Sequence, residues 1–190
     1  MGRRASIDDG ELLDRLGLAF RDVGYEGATL TMLSERAGLQ KASLYHRFPG
    51  GKEQMAREVL EAAEAWLVEH VLGPLAAPGP PRKRIEHMVA GIDTFYSGGK
   101  RACLLNMLST VREEDGPFTG KIAQMFEAWI AALSAVLVDA GVPKKDVRPR
   151  AERAVALLEG SLVLSRGTGT TRPFRDFLKS LPSELLGASG

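Results

Sequence analysis

Lys41, Ser43, Tyr45, His46 and Arg47 crowd one short stretch of the chain, with Lys52 a few positions on. Ammonium, guanidinium, imidazole and hydroxyl groups beside a phenol ring are donors suited to phosphate oxygens and base edges. Leu44 and Phe48 lie four residues apart in the same stretch. A helix over Gln40–Phe48 therefore turns them inward and leaves the polar set on or near its outer side. Just upstream, Thr29 can cap a first helix whose Leu30, Leu33 and Ala37 share one face, and Gly38 can end it by taking a positive φ. Two short helices around a tight turn, one face folding and the other presenting donors, form a unit that reads DNA.

These helices need a scaffold, and the flanking residues supply one. Leu12, Leu13, Leu16, Ala19, Phe20 and Val23 recur at helical spacing, which predicts a helix from about Asp8 to Val23 ending at Gly24. After Gly51 a long helix carries Met55, Val59, Ala62, Ala63, Trp66 and Val71 and stops near Gly73 and Pro74; LAAPGPPRKR then reads as a loop. Further helices are predicted over Ile85–Phe95, Ala102–Val111, Phe118–Ala140, Asp146–Leu164 and Phe174–Leu181, with Pro149 tolerated in a first turn. No alternating run suggests a sheet, so the chain reads as all-α.

At 190 residues, with 44% hydrophobic and 26% charged residues, the composition is that of an ordinary globular protein. The net charge of +1 is not that of a strongly basic nucleic-acid binder, but positive charge is concentrated locally, at Arg3 and Arg4 and around Lys41, His46, Arg47 and Lys52. The longest apolar-rich run, Ala154–Leu164, includes Glu159 and is well short of the roughly 20 residues that cross a bilayer, so no membrane span is expected. The amino terminus has no apolar stretch behind its arginines, which makes the cytoplasm the expected compartment. The single cysteine, Cys103, fits that compartment and allows no intrachain disulfide. His46, His70 and His87 are scattered, and no glycine-rich phosphate loop or metal-ligand spacing occurs. An enzyme, a metal site and a cofactor are therefore not expected.

From Leu18 through Met55 the chain resembles the DNA-binding domain of the TetR family of one-component transcriptional regulators. The resemblance rests on AFRDVGYEGATL before the first short helix, LSERAGLQKASLYHRF across the turn and PGGKEQM opening the next helix. The FPGGKEQ junction, one glycine longer than the commoner form, is similar to that of the LmrA and YxaF branch. The recognition helix of that family usually opens with Ser or Thr, whereas this chain has Gln40, a weaker cap.

The resemblance implies an N-terminal three-helix helix-turn-helix domain over 1–52 and a C-terminal helical effector-binding and dimerisation domain over 53–190. It implies that Lys41, Ser43 and Tyr45 meet base edges or nearby backbone, that His46 and Lys52 meet phosphates, and that Thr31 adds a contact from the preceding helix. Lys52 also suits an anion independently, because the amides of a helix start attract one. Arg3 and Arg4 can reach a minor groove as an arm or stay idle. In such a family Trp66, Phe95, Tyr96, Leu104, Met107, Met125, Phe126 and Trp129 line an effector cavity, for which a small hydrophobic molecule is the plausible occupant; at helical spacing they equally read as core. Asn106 and Glu159 are candidate polar anchors or partners of a neighbouring helix, and Cys103, behind Lys100 and Arg101, is either a sensing thiol or an inert one.

The helix Asp146–Leu164 is apolar nearly all round and must be covered on both sides. The resemblance places it, with Phe174–Leu181, in a homodimer interface through Ala154, Leu157, Leu158, Ser161, Leu162 and Phe174. Two-fold symmetry then sets two recognition helices against successive major grooves of a palindromic double-stranded DNA operator. The expected protein is a repressor released by its effector. The alternative is a helix-turn-helix DNA-binding protein without small-molecule control.

Overall fold

The computed structural model describes residues 7–109 and 116–187. Arg3 and Arg4 lie outside the described residues, as does Val111. The described residues form helices and connecting turns, with no strand among them. The helices are α1 (Asp9–Gly27), α2 (Leu30–Ala37), α3 (Lys41–Arg47), α4 (Gly51–Leu67), α5 (Gly73–Ala76), α6 (Pro81–Phe95), α7 (Leu104–Leu108), α8 (Thr119–Asp139), α9 (Lys144–Thr168) and α10 (Arg172–Leu186). They fall into two compact units. One holds Met1–Ala63 and Leu104–Thr119, the other Glu64–Cys103 and Gly120–Gly190.

The first unit is built on α1, with α2, α3, the start of α4 and α7 packed around Leu16, Phe20, Leu33, Leu44, Phe48 and Met55, each at most 1% exposed. Asp8 caps α1 by accepting from the Glu11 amide at 2.8 Å. The helix does not stop at Gly24, as its sequence suggests, but runs to Gly27 with a break at Gly24, where φ is 74°. A side chain there would sit 3.2 Å from the Met107 carbonyl oxygen, so glycine lets α7 approach α1 closely.

The second unit starts within the helix that the first unit leaves. α4 continues past Gly73 and Pro74 through a π-helical turn, Val68–Leu72, into α5, so the expected stop is a change of hydrogen-bond register instead. Pro74 is tolerated because it falls in the first turn of α5, where an amide proton has no helical partner. For the same reason the LAAPGPPRKR segment is mostly helical. Pro81 opens α6, and Arg84 returns to donate to the Leu75 carbonyl and to pair with Asp139 at 2.6 Å.

α8 is the most apolar of the long helices. It is 21 residues long, and an 18-residue window of it has a mean hydropathy of 1.5, enough by length and composition alone to cross a membrane. Ile122, Met125, Trp129, Leu133 and Val136 nevertheless recur at spacings of three and four and are buried, while Lys121 pairs with Glu64. A buried stripe beside charged residues is the pattern of an amphipathic helix packed on a core. α9 and α10 pack along each other, and α10 also packs on α6, burying Leu158, Leu162, Phe174 and Leu181.

Candidate nucleic-acid interface and apolar cavity

The turn between α2 and α3 is locked by the hydrogen bonds that end α2. Gly38 has φ 70°; its amide donates to Glu35 and the Leu39 amide donates to Ser34, the paired bonds of a Schellman motif. At the other end the Thr29 hydroxyl accepts from the Met32 amide at 3.3 Å. Gln40 makes no side-chain cap on α3, in keeping with its weaker capping chemistry. α3 is thus held by what it buries and by its last residue.

That residue is Arg47. Its guanidinium donates to both Asp9 oxygens, at 3.2 and 3.3 Å, and to Glu58 at 2.9 Å, and lies 4.6 Å from the centre of the Phe48 ring. These hydrogen bonds, to Asp9 and then Glu58, raise its pKa further above the ordinary value. Sequence spacing sets Arg47 among the outward donors; the fold instead spends it on tying α3 to α1 and α4. Glu58 is itself held by Gln54 at 2.8 Å.

With Arg47 withdrawn, the outer face of α3 consists of Lys41, Ala42, Ser43, Tyr45 and His46, all exposed, with Tyr45 46% accessible. Thr31 is exposed on α2. Ala42 was not singled out by residue type. Its signal is register alone, and a methyl group at the middle of such a face suits contact with a thymine methyl. Lys52 is less free: its ammonium donates to the Tyr25 carbonyl at 2.9 Å and sits 4.3 Å over the Tyr25 ring, leaving further N–H donors. Burial and the nearby Glu53 and Glu26 raise the Tyr25 pKa, keeping that phenol neutral.

The residues read as an effector cavity fall in several places. Asn106 and Met107 belong to α7 in the first unit, Asn106 exposed there. Trp66, Phe95, Tyr96 and Cys103 form a contact chain in the second unit. Trp66 stacks on His70 at 4.4 Å and on Phe95 at 5.0 Å, Phe95 meets Tyr96 edge-on, and the Tyr96 hydroxyl lies 3.5 Å from the Cys103 sulfur. Cys103 is buried, the environment of an inert thiol. Trp129 alone of the set lines a small apolar cavity, together with Met88, Ile92, Leu133, Leu158 and Phe177. That cavity has about 10 Å³ of space, roughly one water-sized sphere against the 300 Å³ or more of a ligand pocket. Met125 and Phe126 lie on α8 outside its lining, and the carboxylate oxygens of Glu159 are buried on α9. Ile92 and Leu133 escape a search for aromatic and sulfur side chains, and Met88 is not grouped with Trp129 by spacing, because only packing brings their helices together.

The residues expected at a subunit interface mostly turn inward. Ala154, Leu158, Ser161, Leu162 and Phe174 are at most 6% exposed within one chain. The outer face of α9 carries Leu157, Val163 and Leu164 instead, 41%, 57% and 57% exposed. Among the described residues no group of His, Cys, Asp and Glu can hold a metal ion.

Residues 19–59 match the family model described as "Bacterial regulatory proteins, tetR family", and residues 81–180 match "Transcriptional regulator LmrA/YxaF-like, C-terminal domain". The HTH-type transcriptional regulator LmrA of Bacillus subtilis is 23% identical over 171 residues, covering 87% of this chain and 90% of that one. A TetR transcriptional regulator of Legionella pneumophila has a similar solved structure, with a TM-score of 0.75 and 20% identity over 95% of this chain and 97% of its own. The TetR family regulator CifR, solved with a 26 bp operator DNA, has a TM-score of 0.76 and 20% identity over 98% of this chain and 100% of its own.

Proposed function

Because the chain belongs to the TetR family of transcriptional regulators, in its LmrA/YxaF-like branch, we propose that it is a homodimeric repressor that leaves a palindromic operator when a small hydrophobic effector binds. The chain is a DNA-binding regulator and not an enzyme; repression, release and the effector are the proposed part. The observation that carries the reading is the outer face of α3. Lys41, Ser43, Tyr45 and His46 stand exposed on a helix whose inner face and last residue are fully engaged. Thr31 and the remaining donors of Lys52 flank it.

The dimer joins the outer faces of α9, through Leu157, Val163 and Leu164, and presents two copies of α3 to successive major grooves. The effector enters the second unit near Trp129 and the stack of Trp66 and Phe95. It acts on α4, whose residues belong to both units, and displaces Lys52 and the reading head from the groove spacing. Such a molecule must bind the released state more tightly than the DNA-bound one. The proposed repressor works where the DNA is, in the cytoplasm.

The test is fluorescence anisotropy against the intergenic DNA upstream of the protein's own gene, at several salt concentrations, with unrelated DNA as competitor. Competitor-resistant binding of whole dimers, reversed by a hydrophobic compound, supports the proposal; binding no tighter than to unrelated DNA refutes it for that site. One observation favours a second reading, a regulator without small-molecule control: the apolar cavity holds only about 10 Å³. Under that reading, no member of a hydrophobe panel raises the melting temperature or releases DNA.

A further inference from the structure

A half-buried glutamine behind the reading head has both ends of its side chain engaged. We propose that Gln54 is a positioning residue for operator binding, holding the end of α3 in register with the turn that carries Lys52. The proposal rests on the reading that the outer face of α3 and Lys52 meet the operator together.

Gln54 lies between two groups of opposite demand. The Gly50 amide, just before α4, donates to Gln54 Oε1 at 2.7 Å, and Gln54 Nε2 donates to Glu58 Oε1 at 2.8 Å. Arg47 Nη1 and Nη2 donate in turn to the two Glu58 oxygens, at 3.4 and 2.9 Å, and Arg47 Nε donates to Asp9 at 3.2 Å. A line of polar side chains thus runs from the turn between α3 and α4, through the last residue of α3, to the first residue of α1. Its middle position calls for a carboxamide, because the backbone amide needs an acceptor and the carboxylate needs a donor. Glutamate supplies only the first and lysine only the second.

The two consecutive glycines of the turn serve this line in different ways. Gly51 has φ 66° and open space where a Cβ would stand, so its role is conformational. A Cβ on Gly50 would instead lie 3.1 Å from both Cβ and Oε1 of Gln54. The missing side chain of Gly50 is the room into which Gln54 folds back, and the longer FPGGKEQ junction is its seat. Lys52 belongs to the turn that Gln54 braces, while Lys41, Ser43, Tyr45 and His46 belong to the helix that Glu58 and Arg47 brace. Gln54 therefore sets the separation between a phosphate contact and the base-reading face, and a two-fold operator meets that separation twice.

The test uses the full-length protein, with operator affinity from anisotropy and α3 amide exchange from mass spectrometry of the free protein. Gln54→Met, of similar length but without either hydrogen bond, should weaken operator binding about tenfold, speed exchange in α3 and leave the salt slope unchanged. Added to Arg47→Ala it should cost little more, because the line is already broken. Gln54→Glu tests the chemistry without DNA present. Its α3 amides should exchange faster than the parent's at about pH 7.5 and approach the parent's at about pH 5, where the new carboxyl, its pKa raised beside Glu58, is protonated and donates again. Operator binding by Gln54→Met within twofold of the parent would overturn the proposal, whatever happens to exchange. So would a full loss repeated on top of Arg47→Ala, or a reduced salt slope, which would make Gln54 a phosphate ligand. Failure of the underlying reading looks different: the parent itself then prefers no operator to unrelated DNA, and the proposal falls with it.

Discussion

Substituting Arg47 and Lys41 in turn separates a residue that builds the reading head from one proposed to touch DNA. The Arg47 side chain is 34% exposed and Glu58 23%, so their pair is only partly screened by solvent, whereas Asp9, at 71%, is screened heavily. Allowing about 1 kcal/mol for the Glu58 pair, a few tenths for Asp9 and about 0.5 for the Phe48 ring gives a loss near 2 kcal/mol for Arg47→Ala. In a chain of this size that lowers Tm by roughly 4–8 °C. Operator affinity should fall because α3 loosens, but the slope of log K against log salt should not change, since no phosphate contact is lost. Lys41→Ala should do the opposite, leaving Tm within about 1 °C. It should reduce the slope by about 0.9 for each subunit, or about 1.8 for the dimer, and so shrink the affinity lost between 50 and 200 mM salt roughly 12-fold. Differential scanning calorimetry and anisotropy salt titrations on the two variants give both readouts. If Arg47→Ala reduces the slope as Lys41→Ala does while Tm stays fixed, then Arg47 is a phosphate ligand and the structural role assigned to it is wrong.

Gly91→Ala should destabilise by about 1–2 kcal/mol despite gaining about 1 kcal/mol of helix propensity, because the new methyl would lie 2.2 Å from the His70 carbonyl oxygen and the backbone of the π-helical turn would have to move; a more stable variant in urea unfolding would contradict that crossing. Gln40→Ser should add about 0.5–1 kcal/mol by supplying the cap that α3 lacks, and an unchanged unfolding midpoint would mean the α3 amides are already satisfied. Val163→Asp sets a charge on the 57% exposed face of α9 and should turn the dimer into a monomer in sedimentation, with the subunit still folded by circular dichroism; a stable dimer would move the interface elsewhere. The hydrogen bond from Arg148, with its charge, lowers the Glu127 pKa from the ordinary 4.5. The pair therefore stabilises the fold above that value and is lost as pH falls through the depressed pKa, so the Tm of the parent and of Glu127→Gln should converge in acid and separate slightly toward neutrality.

The reading head was legible in the sequence because its determinants are local. The Thr29 cap, the positive φ at Gly38 and the four-residue interval from Leu44 to Phe48 act within one or two helical turns, so residue type and spacing suffice to specify them. The same holds for the outward placement of Lys41, Ser43, Tyr45 and His46. Arg47 was misplaced because its partners, Asp9 and Glu58, are set by the packing of α3 against α1 and α4, which no window of adjacent residues contains. Asn106 and Met107 are grouped in the sequence with the apolar residues of the later helices, while their helix clusters with the first unit, where the break at Gly24 opens a place for it on α1. On α9, periodicity established an apolar helix, but almost every face of it is apolar. Only its packing against α10 decided that Leu158 and Leu162 turn inward while Val163 and Leu164 face out. The sequence by itself determined helix identity, capping and the chemistry of the reading face, all short-range properties of the chain. Which of two chemically similar side chains is buried, and which charge is already paired, depends on contacts between distant segments, and those exist only in the folded structure.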